Sequence, residues 1–185
     1  GNVGMYAVSG GRVINGSTTV NSVIKVSASD RTNKLFGIGM AAGYTDDKGV
    51  TRQTGIAENY GTIKVEKDNG IGMYATGSGS KAINRGTIEL SGKNTTWIYL
   101  DNNAIGENYG TIKTVPNATN TGIVGVASLN GAIIKNYGTI QVDGSTNTGI
   151  YIVKGKREGN NPTATNGATS VQIKQQADTS KKISG

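Results

Sequence analysis

Cysteine and histidine are absent from this 185-residue chain, proline occurs only twice, and phenylalanine and tryptophan once each. Without cysteine there is no disulfide framework and no thiolate metal site. Without histidine the commonest general base and metal ligand are missing, which excludes metal–histidine and serine–histidine chemistry. The lack of cysteine also suits a chain that must cross a periplasm without premature disulfides. Charged residues make up 17% of the chain, low for a disordered region, and the net charge is +7. No apolar run approaches the ~18 to 20 residues of a membrane span, so direct membrane insertion is not expected. Gly1 opens directly into patterned sequence with no charged-then-apolar leader, so the expectation is a segment excised from something longer.

What is present is glycine, 29 residues of it, with abundant Asn and Thr and an apolar set dominated by Ile and Val. β-branched residues suit pleated surfaces and disfavour long helices. A narrow solenoid also needs only a thin apolar column, which accounts for the scarcity of aromatic residues.

The phrase Asn-Tyr-Gly-Thr-Ile begins at Asn59, Asn108 and Asn136, and a variant with Arg in place of Tyr begins at Asn84. These asparagines are 25, 24 and 28 positions apart, which allows one solenoid coil per copy and no independent domain between copies. A second phrase runs in step: Gly70-Ile71-Gly72-Met73-Tyr74-Ala75, Thr96-Trp97-Ile98-Tyr99-Leu100, Gly122-Ile123-Val124-Gly125-Val126 and Gly149-Ile150-Tyr151-Ile152. Earlier copies begin at Gly4 and Gly37, giving six coils. After each corner glycine the pattern alternates, as in Ile63-Lys64-Val65 and Ile88-Glu89-Leu90, the signature of a half-buried strand. Each coil has room for this strand, the Gly-Ile-x-x-Tyr strand and a short stretch such as Ala132-Ile133-Ile134. The expectation is an all-β, three-sided parallel β-helix of about six coils, each of roughly 24–28 residues with three strands.

One unit spans residues 1–185, with a protruding loop at 42–54, a loop excursion at 154–165 and a frayed or incomplete coil at 175–185. Asn59, Asn84, Asn108 and Asn136 are expected at a corner, tolerating left-handed backbone angles and forming an amide ladder.

Two outward columns follow. Lys25, Lys64, Glu89, Lys113, Gln141 and Lys174 fall on one strand face, where cross-strand charge compensation is the simplest role. Tyr60, Arg85, Tyr109 and Tyr137 place a guanidinium between phenol rings, which fits structural cation–π stacking and also a sugar-binding surface. Gly70 to Ala75 match G-x-G-x-x-A by spacing, but no helix follows to hold a pyrophosphate, and Gly77 to Ser80 read as a turn. Asp46 and Asp47 are potential calcium ligands, yet carboxylates are too sparse for a catalytic pair, so no catalytic residue, cofactor or metal is assigned. The basic residues are dispersed, which argues against nucleic acid. The sequons at Asn15, Asn94 and Asn117 match what an Asn- and Thr-rich chain yields by chance.

The paired phrases Gly-Ile-Gly-Met-Tyr-Ala and Asn-Tyr-Gly-Thr-Ile-Lys-Val resemble the degenerate repeats of autotransporter passenger domains, the type V secreted surface adhesins of Gram-negative bacteria. The likeness covers nearly all of residues 1–153. It implies a right-handed parallel β-helix carried across the outer membrane by a C-terminal β-barrel that this sequence does not include. It also implies a non-enzymatic role in attachment to host cells, matrix or other bacteria through a protein or glycan receptor. Binding in such passengers often sits on loops, which points to Tyr44, Asp46, Asp47, Lys48 and Arg52 in the Tyr44 to Gln53 insertion and to the Lys154 to Asn161 excursion. The alternatives are a stalk that only projects a distal tip and a carbohydrate-active β-helix enzyme, a polysaccharide lyase or hydrolase.

Overall fold

The computed structural model describes residues 1–115, 122, 124–155, 161–167, 172–176 and 182–184. Three parallel sheets wrap a common core. The first face holds Val3–Ala7, Ile38–Ala42, Ile71–Thr76, Thr96–Asp101, Val124–Ser128 and Tyr151–Ile152. The second holds Gly11–Asn15, Gly55–Asn59, Lys81–Asn84, Ile105–Asn108, Ile133–Asn136 and Thr163–Asn166. The third holds Val23–Lys25, Thr62–Val65, Thr87–Leu90, Thr111–Thr114, Thr139–Asp143 and Gln172–Gln176, with Lys182–Ser184 pairing antiparallel at its end. The chain visits the faces in that order in each of six coils, and every pairing between coils is parallel, as the repeat spacing predicts.

The core is a stack of like residues. On the first face Met40, Met73 and Ile98 are in register, and on the third Ile63, Ile88, Ile112 and Ile140 are. All seven are fully buried. Where one row grows, its neighbour shrinks. Leu100 takes the place that Ala75 holds in the preceding coil, and across the interior Gly106 replaces Ala82. A Cβ on Gly106 would come within 2.6 Å of Leu100 Cδ1. Trp97, also fully buried, reaches along the axis and donates from its indole N–H to the carbonyl of Gly149 at 3.4 Å.

The corner glycines are fixed by close approach. A Cβ on Gly86 would strike the carbonyl oxygen of Gly61, one on Gly110 that of Gly86, and one on Gly138 that of Gly110. Backbone cannot rotate away as a side chain can, so the Asn-x-Gly phrase must repeat.

Asn15, Asn59, Asn84, Asn108, Asn136 and Asn166 form one amide ladder. Each Nδ2 donates to the next Oδ1 at 2.8 Å, or at 2.9 Å for the last step. The expectation of left-handed angles at these asparagines is corrected. They end the second-face strands in extended backbone, and among the described residues the positive-φ asparagines are Asn69, Asn94, Asn102, Asn103 and Asn130, at other corners. A short amide tolerates αL wherever a turn demands it, whereas the ladder positions need a strand-end geometry that aims the amide along the axis.

The expected boundaries also shift. Thr163–Asn166 is a second-face strand that overlaps the end of the 154–165 excursion, and Gln172–Gln176 is a third-face strand that reaches into the 175–185 segment. Asn117, Ile123, 156–160 and Val171 lie outside the described residues. Among the described residues no helix is long and apolar enough to cross a membrane.

Candidate functional site

The insertion after the second first-face strand is an antiparallel pair, Tyr44–Thr45 with Thr51–Gln53. Asp46 organises its turn: Oδ1 accepts the backbone N–H groups of Lys48 and Val50 at 2.9 and 3.0 Å, and Oδ2 accepts Arg52 Nε at 2.8 Å. The Val50 N–H, with help from Arg52 and the Lys48 N–H, holds the Asp46 carboxyl below its ordinary value. Both oxygens are thus already occupied by donors. Asp47 and Lys48 lie in the same turn, and Tyr44 is half exposed. The hairpin leans on the following coil, Thr45 Oγ1 meeting Thr76 Oγ1 at 2.8 Å and Thr51 Oγ1 accepting the Ser78 N–H at 3.0 Å.

The two outward columns fall in different places. On the third face, Lys25, Lys64, Glu89, Lys113, Gln141 and Lys174 are in register. Glu89 lies 3.9 Å from Lys64 and 3.7 Å from Lys113, an arrangement of cross-strand compensation. At the corner between the second and third faces, Arg85 sits over Tyr60 at 5.9 Å and over Tyr109 at 4.6 Å, and Tyr109 stacks on Tyr137 at 5.2 Å. The column is filled in four successive coils.

Beneath it lies a residue that the repeat phrases did not point to. Glu58, only 1% exposed, takes hydrogen bonds from Arg12, from Arg85 at 2.6 Å and from the Tyr60 hydroxyl at 3.2 Å. Burial pushes its carboxyl up, but the two guanidinium groups and the phenol outweigh burial and hold it below its ordinary value. Glu107 repeats part of this two coils later, accepting the Tyr109 hydroxyl at 2.8 Å, with Ile83 at that position in the coil between. The signal was Glu preceding Asn at Glu58 and at Glu107, with Arg12 and Arg85 in the flanking coils.

A second aromatic row crosses the first face. Tyr6, Ala41, Tyr74, Tyr99, Ala127 and Tyr151 occupy one register line. Tyr74 and Tyr99 stack at 6.0 Å with 28° between their planes, farther apart than the ~4.8 Å between strands, so the rings are offset. They line an open cleft of about 660 Å³ with Arg31, Phe36, Asn94 and Asp101. Burial, with the nearby Asp101 and Tyr74, pushes the Tyr99 phenol up to about 12. The aligned second phrase already set Tyr74 above Tyr99. Arg31, Phe36 and Asn94 come from turns outside the repeat phrases and Asp101 from the end of a repeat strand, so this grouping was not legible.

The family model of the BigA third pectate lyase-like domain matches residues 1–106, which take in the first three coils and the first face of the fourth. No curated protein matches the chain, and no solved structure does. A pectate lyase-like domain agrees with the right-handed sense expected for parallel crossovers and with the three parallel faces seen here. The chain belongs to the BigA third pectate lyase-like domain family, a domain of bacterial surface proteins wound as a right-handed parallel β-helix.

Proposed function

We propose that this chain is a non-catalytic, surface-exposed segment of a bacterial adhesin that attaches the cell to host or bacterial surfaces. The reading extends to an autotransporter passenger, secreted across the outer membrane of a Gram-negative bacterium and anchored by a β-barrel elsewhere in the protein. The observation that carries the non-catalytic role is where the carboxylates go. Glu58 is held by two arginines and a tyrosine, Asp46 by its own turn, Glu89 by two lysines, and Asp101 accepts the Asn102 N–H and Asn130 Nδ2 at 2.8 and 2.7 Å. Among the described residues no three His, Cys, Asp or Glu side chains gather where a metal ion would bind them together. Membership of a surface-protein domain family supports the location.

The test is attachment of the purified chain to intact bacterial and epithelial cells at low and physiological salt. Saturable attachment that survives physiological salt is the expected result, since attraction from a net charge of +7 alone would be screened. No attachment under either condition would overturn adhesion and leave projection as the role. The family's lyase-like description favours one second reading, a carbohydrate-active enzyme, which predicts new reducing or unsaturated ends from polygalacturonate or other glycans.

A further inference from the structure

From the cleft on the first face we infer that the chain carries a binding site for a neutral, linear oligosaccharide, centred on Tyr74 and Tyr99. The inference deepens the adhesive reading and rests on it only for its biological purpose.

Three observations support this site. The first is the aromatic floor. Tyr74 and Tyr99 form an offset pair on neighbouring coils, and the register places Ala41 on one side and Ala127 on the other. Both rings line the open cleft, so the pair is its floor. At the Arg85 corner a cation or a ring fills four successive coils, from Tyr60 to Tyr137. Offset rings one strand spacing apart offer apolar faces to the CH groups of successive pyranose units in a chain running along the helix axis.

The second is the rim. Arg31 brings donors, Asp101 an acceptor, and Asn94 both, around a cleft whose floor is aromatic. A single cation and a single anion favour hydroxyl recognition over a polyanion. A peptide would gain little here, because the inner strands of this sheet are paired on both sides and offer no edge to extend.

The third is that the walls are preformed. The turn carrying Arg31 and Phe36 is closed by the Asp30–Leu35 bridge and by the Asp30 carboxylate, which accepts Asn33 Nδ2 at 2.6 Å. It is tied to the next coil by Ser29 Oγ, which donates to the Asn69 carbonyl and accepts the Gly37 N–H, both at 2.8 Å. Asn94 adopts a left-handed φ of 52°. A site whose walls are already held loses little ordering entropy on binding.

The experiment is calorimetric titration of the whole chain with cellohexaose, chitohexaose, mannohexaose and hexagalacturonate at low and physiological salt. At least one neutral hexasaccharide should bind with little salt dependence. Tyr74→Ala and Tyr99→Ala should each weaken it about tenfold or more, equivalent to ~1.4 kcal/mol. Tyr109→Ala and deletion of the Tyr44 to Gln53 hairpin should leave binding unchanged. Circular dichroism reports whether each variant keeps its coils. Arg31→Ala, on an exposed turn, supplies a variant that does not touch the floor and should also weaken binding. Binding to no neutral hexasaccharide overturns the inference, as does binding insensitive to all three substitutions, or binding of hexagalacturonate alone that salt abolishes. Should the substitutions leave cell attachment intact, the oligosaccharide site fails as the adhesive site while adhesion stands. Should glycan binding persist without any cell attachment, adhesion fails and the site stands.

Discussion

At the corner between the second and third faces four successive coils carry the same phrase, whereas the outer surface of the first face changes from coil to coil. The corner repeats Asn, an aromatic or Arg, and Gly, and each side chain is satisfied by its counterpart one coil away. The first face mixes Tyr and Ala along one register line, with Tyr74 and Tyr99 adjacent, and borders turns of unequal length. Identity between coils is what stacking demands, because a ladder member that differs leaves two neighbours without partners. Departure from identity is what recognition needs, because a ligand must meet groups that the next coil does not already hold.

The largest effect should come from breaking the ladder. Asn84→Ala removes the acceptor of Asn59 and the donor to Asn108. The expected cost is about 1–3 kcal/mol for each orphaned group, read from chemical denaturation. Gly110→Ala comes next. Its Cβ meets the Gly86 carbonyl, and about 1–3 kcal/mol of overpacking should lower the melting midpoint.

Glu58 gives the comparison a pH axis. Its folded-state value is depressed, so its stabilisation is present above the unfolded value near ~4.3 and is lost as pH falls through the folded value. Glu58→Gln should cost roughly 1.5–3 kcal/mol at neutral pH and flatten the acid limb of the stability profile. An unchanged acid limb in the variant would mean that the buried carboxylate is not linked to folding.

On the first face, Tyr74→Ala should cost about 0.5–1.5 kcal/mol of stability for the aromatic pair, in addition to the ring's partial burial, while weakening glycan binding about tenfold or more. The smallest effect belongs to the third face. Glu89→Gln loses two half-exposed ion pairs at 3.7 and 3.9 Å and should change stability by at most about 1 kcal/mol, less at high salt.

These contrasts explain what could be read in advance. The coil count and the ladder were legible because Gly86, Gly110 and Gly138 admit no Cβ and Asn59 to Asn136 admit no other amide geometry, so the phrase recurs. The same phrase hid its backbone conformation, since asparagine serves both extended ladder positions and left-handed turns such as Asn94 and Asn130. Glu58 was missed because its partners Arg12 and Arg85 are 46 and 27 residues away and only register brings them together. The cleft was missed for a related reason. Arg31 and Phe36 belong to a turn with no counterpart in the repeats, and Asn94 precedes, and Asp101 ends, a strand that reads as core. The carboxylate of Asp46 looked like a calcium ligand because sequence shows an acid in a loop but not the N–H groups already bound to it.

The most direct test of this division between corner and face is hydroxyl-radical footprinting of the tyrosines, with and without the neutral hexasaccharide that binds most tightly. Protection of Tyr74 and Tyr99 with Tyr109 and Tyr137 unchanged is the predicted result. Protection of Tyr109 and Tyr137 while Tyr74 and Tyr99 keep their reactivity would contradict it, and would make the repeated corner the recognition surface.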